Sequence, residues 1–296
     1  MQTTATTTQK AMDIITIIDY RCVSCFLKTY RRLFEKFNVS RDDQELFLVA
    51  FRKILEGKPN VSHPIIQAEL NRAFCQILKA DDPFACEKQH SNRMALTLYE
   101  QWKPKVLASD NPFDLALRLS IAGNIMDYGA NNHFDVHDTI DKVLNTSFAI
   151  DHSELLKYKI EKAKRILFLG DNAGEIVFDK LFIETIKHSE VYYAVKSAPV
   201  LNDATMADAK EVGLDSVAKV ISNGYDAPST ILSKCNNDFL ELYHAADLII
   251  SKGQGNFEGL VNEKDSRIFF LLMVKCDVIA ELLNVEKGGF VVYNNK

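Results

Sequence analysis

Two polar residues directly follow a short apolar segment in the second half of the chain. Residues 166–169 are Ile-Leu-Phe-Leu, and Gly170 separates them from Asp171 and Asn172. The apolar run predicts a buried strand, and the helical spacing of apolar residues from Glu175 onward predicts a helix after it. Open α/β sheets bind ligands at the carboxyl ends of their strands, and a carboxylate beside a carboxamide suits Mg²⁺ or Mn²⁺. The alternative is a turn in which both residues only cap the following helix.

Two further predicted strands are followed by polar loops. Asn202 and Asp203 lie beyond the strand predicted at 191–195, and Lys252 begins the segment Lys-Gly-Gln-Gly-Asn-Phe-Glu after the strand predicted at 248–251. Because parallel strands end at one edge of a sheet, Asp203 would join the first two residues at a single cation. Lys252 and the amides of the glycine-rich loop would meet an anion beside it. A cation next to an anion site is the apparatus of phosphoryl chemistry.

The elements that must position these loops differ between the two halves of the chain. Helical periodicity without convincing strands predicts helices at 17–37, 41–56, 65–78, 84–100 and 112–126 and the start of another at 138–144. From about residue 160 onward, helices alternate with runs that predict strands at 166–169, 191–195, 217–221, 248–251, 267–274 and 290–293. This alternation is typical of a mostly parallel, helix-covered sheet.

The two patterns, helical in the first half and alternating in the second, predict the domain organisation. A Thr-rich tail, expected to be disordered, covers residues 1–10, a helical region covers 11–155, and an α/β metal-binding domain covers 156–296. No internal repeat or low-complexity linker separates the two folded parts. We therefore expect the helical region to pack against the α/β domain, without a flexible tether between them.

Composition excludes several classes of function. The chain of 296 residues has a net charge of −5 and a pI near 5.8, so it lacks the basic surface of a nucleic-acid-binding protein. No apolar run approaches the roughly 18 residues of a membrane span, and the polar start lacks the apolar core of a signal peptide. Six dispersed cysteines do not form a disulfide scaffold, which indicates a reducing, cytoplasmic location.

Several segments together resemble the damage-control phosphatases, a family long catalogued as a domain of unknown function that includes an arginine methyltransferase-like branch. The three polar loops carry the matches Gly-Asp-Asn-Ala-Gly-Glu at 170–175, Pro-Val-Leu-Asn-Asp-Ala-Thr at 199–205 and Lys-Gly-Gln-Gly-Asn-Phe-Glu at 252–258. Further matches are Cys22-Val-Ser-Cys25, Asp82-Pro-Phe84 with Lys88 and Asn92, Gly123-Asn-Ile-Met-Asp127 and Lys275-Cys276. They follow the family's order from about residue 20 to 285, and the Cys-x-x-Cys pair resembles the prokaryotic branch.

The resemblance implies a helical N-terminal region packed on a Rossmann-like, mostly parallel sheet with flanking helices. It implies a metal-dependent phosphatase that hydrolyses phosphate monoesters of small, sometimes damaged metabolites such as sugar phosphates, with Mn²⁺, Co²⁺, Ni²⁺ or Mg²⁺ as cofactor. The metal ligands would be Asp171, Asn172 and Asp203, and Lys252 would contact the phosphate and act in catalysis with Asp171. Other matching positions, which are candidates for substrate binding, are Gly253, Asn256, Glu175, Asn202, Lys196, Asn124 and Asp127.

Two alternatives concern the mechanism and the class of protein. Metal-activated water is the expected nucleophile and the Asp171 carboxylate is its rival, although the sequence lacks the Asp-x-Asp-x-Thr arrangement of aspartyl-phosphate enzymes. A non-catalytic metal- or nucleotide-binding protein, or a transferase, would use the same edge of the sheet. No feature of the sequence selects the physiological substrate or an oligomeric state.

Other motifs have structural alternatives as well. Cys22 and Cys25 would bind zinc only with two more ligands, for which the sequence offers Cys75, Cys86, His63 and His90; packed thiols are the alternative. The glycine spacing at 253–259 is one residue too long for a dinucleotide fingerprint. Asn124 and Asp127 lie either at the site or at a helix end that they cap or pack.

Overall fold

The computed structural model describes residues 20–56, 62–123 and 136–294. The predicted tail at 1–10 and two candidate site residues, Asn124 and Asp127, lie outside these ranges. The described residues form twelve α-helices and seven β-strands. Within those ranges, no helix has the length and the apolar character that crossing a membrane requires.

The chain divides into two compact units at the junction between Pro83 and Phe84. The change from helical periodicity to alternating strands and helices predicts a boundary near residue 155. Apolar side chains between residues 95 and 148 share one core with the sheet, so the helices that carry them belong to the sheet's unit. The predicted boundary follows the change of secondary structure, whereas the observed one follows the packing.

The first unit contains three helices, α1 (Tyr20–Lys36), α2 (Arg41–Leu55) and α3 (His63–Leu78). Helix α2 begins where the Ser40 side chain accepts a hydrogen bond from the Asp43 backbone N–H at 3.2 Å. Tyr30, Phe47 and Phe74 are buried between the helices, with ring centroids 4.5 to 6.0 Å apart. The three helices predicted here are therefore confirmed, with small shifts at their ends.

The second unit alternates helices with the strands of one sheet. Its helices are α4 (Ala85–Leu107), α5 (Pro112–Ala122), α6 (Val136–Asn145), α7 (Ser153–Lys162), α8 (Glu175–Ile186), α9 (Met206–Glu211), α10 (Asn237–Ala245), α11 (Gly253–Leu260) and α12 (Asp277–Leu283). Its strands are β1 (Ile150–Asp151), β2 (Ile166–Leu169), β3 (Val191–Val195), β4 (Lys219–Ser222), β5 (Leu248–Lys252), β6 (Ile268–Met273) and β7 (Phe290–Asn294). All six predicted strands are present. Strand β1 was missed because two residues are too few to show a pattern.

The sheet has the strand order β1-β7-β6-β5-β2-β3-β4. Every neighbouring pair is parallel except β6 with β7. From β2 the chain moves outward to β3 and β4, and it then returns to place β5 on the other side of β2. The strand order thus reverses between β2 and β5, which is where open α/β sheets bind ligands. The predicted α/β class is confirmed.

Aromatic side chains fix helix α8 over the centre of the sheet. All four residues of β2 are buried, as expected for a strand covered on both faces. The ring of Phe168 in β2 lies 6.2 Å from that of Phe182 in α8, and Phe113 of α5 lies 5.6 Å from Phe182. This packing gives the start of α8, immediately after the polar loop of β2, a fixed position.

Two glycines of helix α11 allow the loop at 228–230 to approach the backbone of the helix closely. A Cβ atom at Gly255 would lie 2.0 Å from the Pro228 carbonyl oxygen. A Cβ atom at Gly259 would lie 2.2 Å from Ser229 Oγ and 2.6 Å from the Thr230 carbonyl oxygen. Only residues without a side chain allow this contact, so the glycines of the segment have a packing role in the fold.

We expect Gly255→Ala to lower the free energy of unfolding by about 1–3 kcal/mol, as overpacking does in a filled core. Alanine favours a helix interior over glycine by about 1 kcal/mol, but the rigid Pro228 carbonyl makes the clash dominant. Urea denaturation measures the change, and Lys159→Ala, at an exposed position of α7, is the near-neutral control. A variant more stable than the wild type would contradict the packing described here.

Candidate active site

The carboxylate of Asp171 lies against the first residue of helix α11. Asp171 follows β2, and Gly253 follows the neighbouring strand β5. A Cβ atom at Gly253 would lie 1.9 Å from Asp171 Oδ2, and Gly253 has a φ of +77°, which favours glycine. The close approach brings the loops of β2 and β5 together at the point where the strand order reverses.

Backbone contacts join the loop after β3 to the loop after β2. Asn172 and Asp203 form an isolated antiparallel bridge. The Ala204 N–H donates to the Asp171 carbonyl at 2.8 Å, and the Ala173 N–H donates to the Asn202 carbonyl at 2.9 Å. The three predicted metal ligands, Asp171, Asn172 and Asp203, are therefore neighbours, and all three are buried.

The side chain of Asn172 has a defined orientation. Its Nδ2 donates to Asp171 Oδ2 at 3.0 Å and to Glu175 Oε2 at 3.3 Å. Both partners are carboxylates, which accept and do not donate when ionised. The hydrogen bonds therefore assign Nδ2 to the carboxylates and leave the Asn172 carbonyl oxygen, Oδ1, as the atom that would face a cation.

Lys252 lies in a fully buried ion cluster. Its ammonium donates to Glu175 Oε1 and Asp179 Oδ1, both at 2.7 Å, and to the Ser120 carbonyl oxygen at 2.8 Å. The side chains of the three charged residues are 0% exposed. The three hydrogens of the ammonium thus match three protein oxygens. A phosphate contact by Lys252 would require the exchange of one of these bonds, and this role stays a prediction.

Two hydroxyl groups complete the hydrogen bonding of Asp179. Ser120 Oγ donates to Asp179 Oδ1 at 2.6 Å, and Tyr193 OH donates to Asp179 Oδ2 at 2.5 Å. Burial raises the pKa of Tyr193 well above its ordinary value, and the charge of Asp179 acts in the same direction. Tyr193 consequently keeps its proton and remains a donor at neutral pH.

Burial and charge oppose each other within the ion cluster. Burial raises the pKa of Glu175 above its ordinary value of 4.5, the ammonium of Lys252 lowers it, and the carboxylates of Asp171 and Asp179 raise it. Burial alone would lower the pKa of Lys252, but Asp179 and Glu175 outweigh this effect, so the pKa of Lys252 is raised. The ammonium therefore stays charged and stabilises the buried carboxylates of Glu175 and Asp179.

The ammonium of Lys196 lies within ion-pair distance of one candidate metal ligand, Asp203. Its Nζ lies 3.5 Å from Asp203 Oδ2, 3.3 Å from the Gly170 carbonyl oxygen and 3.4 Å from Asn256 Oδ1. These distances are longer than the bonds of Lys252. Lys196 therefore pairs with a candidate metal ligand, Asp203, whereas Lys252 pairs with Glu175 and Asp179.

Asn256 acts as a brace between strand ends. Its Nδ2 donates to the carbonyl oxygens of Gly170 and Lys252, at 3.0 and 2.8 Å, and its Oδ1 accepts from Thr230 Oγ1 at 2.9 Å. The side chain is fully buried. The structure thus explains this residue by its contacts to β2, β5 and the loop over α11, and substrate binding by Asn256 stays a prediction.

Asp179 and Glu258 are not among the site residues that the sequence predicts. Asp179 lies four residues after Glu175 on the same face of α8, and two acids at this spacing among apolar residues were the available signal. Burial raises the pKa of Glu258 to about 7, Gln254 opposes the rise, and the Asp171 carboxylate adds to it. Glu258 closes the matched glycine-rich segment, and a carboxyl group that titrates near neutral pH is suited to proton transfer.

The side chains of Asp171, Asn172 and Asp203 form a donor set that suits a hard divalent cation. It offers two carboxylates and one carboxamide oxygen, the donors that Mg²⁺ and Mn²⁺ prefer. Within residues 20–56, 62–123 and 136–294, no three or more His, Cys, Asp and Glu side chains form a group that would hold a metal ion. Cys22 and Cys25 lie within these ranges, so the described residues provide no third and fourth ligand for a zinc site at this pair.

Comparisons with known proteins reveal similarity along nearly the whole chain. A family model described as "Damage-control phosphatase ARMT1-like domain" matches residues 18–291. A damage-control phosphatase of Pyrococcus horikoshii is 35% identical over 285 residues, which covers 94% of this chain and 98% of that protein. A damage-control phosphatase of Archaeoglobus fulgidus is 30% identical over 282 residues, which covers 91% of this chain and 96% of that protein.

A solved structure shares the fold. The crystal structure of a DUF89 family protein from P. horikoshii superimposes with a TM-score of 0.84 at 35% identity, covering 95% of this chain and 99% of that chain. An uncharacterised protein of Methanocaldococcus jannaschii is 37% identical over 237 residues, covering 75% of this chain and 77% of its own. The similarity thus includes both units and every loop of the candidate site.

We expect Lys252→Met to lower the free energy of unfolding by about 3–5 kcal/mol at pH 8, because Glu175 and Asp179 lose their buried counter-charge. Without that charge, the folded variant binds protons more tightly than its unfolded chain. Its stability therefore rises as the pH falls from 8 toward the ordinary carboxyl pKa of 4.5.

Urea denaturation at several pH values measures this effect. Lys219→Met is the matched control, since Lys219 pairs with Glu190 at 3.1 Å on the surface and the two side chains are 59% and 42% exposed. Equal stability losses in the two variants would show that the buried cluster does not depend on its ammonium.

Proposed function

The chain belongs to the damage-control phosphatase family with the ARMT1-like domain, and we propose that it uses a divalent metal ion to hydrolyse phosphate monoesters of small metabolites. The observation that carries this proposal is the meeting of Asp171, Asn172 and Asp203 at the reversal of strand order. Two carboxylates and a carboxamide, held together by backbone hydrogen bonds at this edge of the sheet, are the donors of a Mg²⁺ or Mn²⁺ site.

We infer that these three residues hold the ion through carboxylate oxygens of Asp171 and Asp203 and through Asn172 Oδ1. When bound, a divalent ion neutralises phosphate charge and lowers the pKa of water. Mn²⁺, Co²⁺, Ni²⁺ and Mg²⁺ are the ions proposed. The backbone bonds between the loops at 171–173 and 202–204 support this assignment because they fix the ligand spacing before binding.

We propose that the two buried lysines have different roles. Lys252 is committed to two carboxylates and a carbonyl oxygen, and it holds the charge balance behind Asp171. Lys196 lies 3.5 Å from Asp203 and makes longer contacts, so its ammonium is the better placed to contact a phosphoryl oxygen. Lys196 is thus the proposed main phosphate contact, in place of Lys252, which the resemblance implied.

Water is the proposed nucleophile. Asp171 Oδ2 accepts from Asn172 and lies against the backbone of Gly253, which confines the carboxylate to the position of a ligand. An in-line attack through Asp171 Oδ2 would require that oxygen to leave these contacts. Phosphorylated small molecules, sugar phosphates among them, are the proposed substrates, and cytoplasmic location and the absence of a nucleic-acid partner stay predictions from composition.

Phosphate release from a panel of phosphorylated metabolites tests the proposal. The protein is stripped with EDTA, and Mg²⁺, Mn²⁺, Co²⁺ and Ni²⁺ are restored one at a time. We expect at least one ion to restore turnover and Asp171→Asn to lower it by about 10²–10³-fold, as loss of a group that stabilises transition-state charge does.

Asp215→Asn is the matched control, since it removes one charge at an exposed position between α9 and β4. It should retain wild-type turnover. Metal binding without turnover on any substrate would instead favour a non-catalytic binding protein, and turnover unaffected by EDTA would overturn the metal assignment.

The division of roles between the lysines is tested with Lys196→Met. We expect kcat/KM to fall by about 10²-fold through loss of a phosphate contact. The Kd for Mn²⁺ should stay equal or become tighter, because a positive charge 3.5 Å from Asp203 opposes a cation there. Weaker Mn²⁺ binding with an unchanged KM would mean that Lys196 supports the ligands and does not contact the phosphate.

A further inference from the structure

Helix α4 contacts the loop that follows β2 and helix α9, which begins three residues after Asp203. The Asn92 side chain is fully buried, and its Oδ1 accepts from the Gly174 N–H at 2.8 Å, two residues beyond Asn172. Its Nδ2 donates to Asp208 Oδ1 at 3.3 Å and to Glu211 Oε2 at 2.7 Å, both on α9, the helix that follows Asp203. One carboxamide thus connects the loop that carries Asp171 and Asn172 to the helix that follows Asp203.

The chemistry of this link requires a carboxamide. One side of Asn92 meets a backbone N–H, which needs an acceptor, and the other side meets two carboxylates, which need a donor. An aspartate in its place would keep the first contact but would set a third negative charge against Asp208 and Glu211. The same helix also packs on the Gly174 turn, since a Cβ atom at Gly174 would lie 3.1 Å from Ser91 Cβ.

Lys88, one turn earlier on α4, holds the start of α9. Its Nζ lies 3.2 Å from Asp208 Oδ2, and both side chains are buried. The same oxygen accepts from the Thr205 backbone N–H at 2.9 Å and from Thr205 Oγ1 at 2.7 Å, which forms a capping box two residues after Asp203. Lys88 therefore fixes the carboxylate that ends the Asp203 loop.

We propose that Lys88 and Asn92 form a clamp that sets the distance between the loops at 171–174 and 203–205 and so determines the metal affinity of the site. The inference rests on the proposed metal-dependent function. The loops already share two backbone hydrogen bonds, between residues 173 and 202 and between 204 and 171. The clamp adds contacts beyond the ligands on both sides, as do outer-shell partners that orient metal ligands.

Asn92→Asp and Lys88→Met test the clamp in the full-length protein. The Kd for Mn²⁺ is measured by calorimetry, with Tm and hydrogen exchange of the metal-free protein measured in parallel. We expect a 10–100-fold weaker Kd, the usual effect of losing an outer-shell partner. In the absence of metal, amide exchange should accelerate in the segments 171–175 and 203–206.

Tyr99→Phe is the control for general destabilisation. Tyr99 lies on the same helix, is buried, and donates to Glu184 of α8 at 2.9 Å, away from both ligand loops. We expect it to lower Tm while it leaves the Mn²⁺ affinity and the exchange of the two segments unchanged. A further variant, Asn92→Leu, removes both contacts without adding charge and should weaken binding less than Asn92→Asp.

The outcomes separate the clamp from the proposed function. If the wild type binds Mn²⁺ and the α4 variants bind it equally well, or if Tyr99→Phe weakens binding as much as they do, the clamp is wrong. If the wild type binds none of the four ions, the metal proposal fails. Exchange in the metal-free protein then decides the clamp, since unchanged protection of both segments in Asn92→Asp would overturn it.

Discussion

The site depends on one buried ammonium, that of Lys252, held between Glu175 and Asp179 at 2.7 Å on each side. Placing these charges in the core is costly unless each finds a partner, and the cluster supplies partners for all of them. The contacts connect the end of β5 to the first two turns of α8 and to the Ser120 carbonyl of α5. The loop with Asp171 and Asn172 is bonded to this anchor, since Asn172 Nδ2 donates to Glu175 Oε2 at 3.3 Å.

The anchor also sets the charge available to a ligand. Lys252 pairs with Glu175 and Asp179, whereas Asp203 lies 3.5 Å from the ammonium of Lys196. A divalent cation would meet two carboxylates and one amide oxygen, and a phosphate would meet the cation and one ammonium.

Close backbone approach is the second constraint on the site. Gly253 admits the Asp171 carboxylate, and Gly255 and Gly259 admit the loop at 228–230 across α11. The spacing that loosely resembles a dinucleotide fingerprint is thus explained by packing and by contact with a carboxylate. Asn256, between these glycines, braces β2 and β5 through the carbonyl oxygens of Gly170 and Lys252.

The sequence by itself determined the α/β class, six of the seven strands and the residues at the three strand ends, because apolar periodicity and polar loop residues are local signals. It also identified Asp171, Asn172 and Asp203 as neighbours, since parallel strands end at one edge. Only the tertiary structure decided which charged side chains pair with one another in the core. Lys252 ends strand β5 and Lys196 follows strand β3, and their different contacts arise from the position of α8, which carries Glu175 and Asp179. Likewise, Lys88 and Asn92 precede Gly174 by more than 80 residues, and no local pattern reports a contact over that separation.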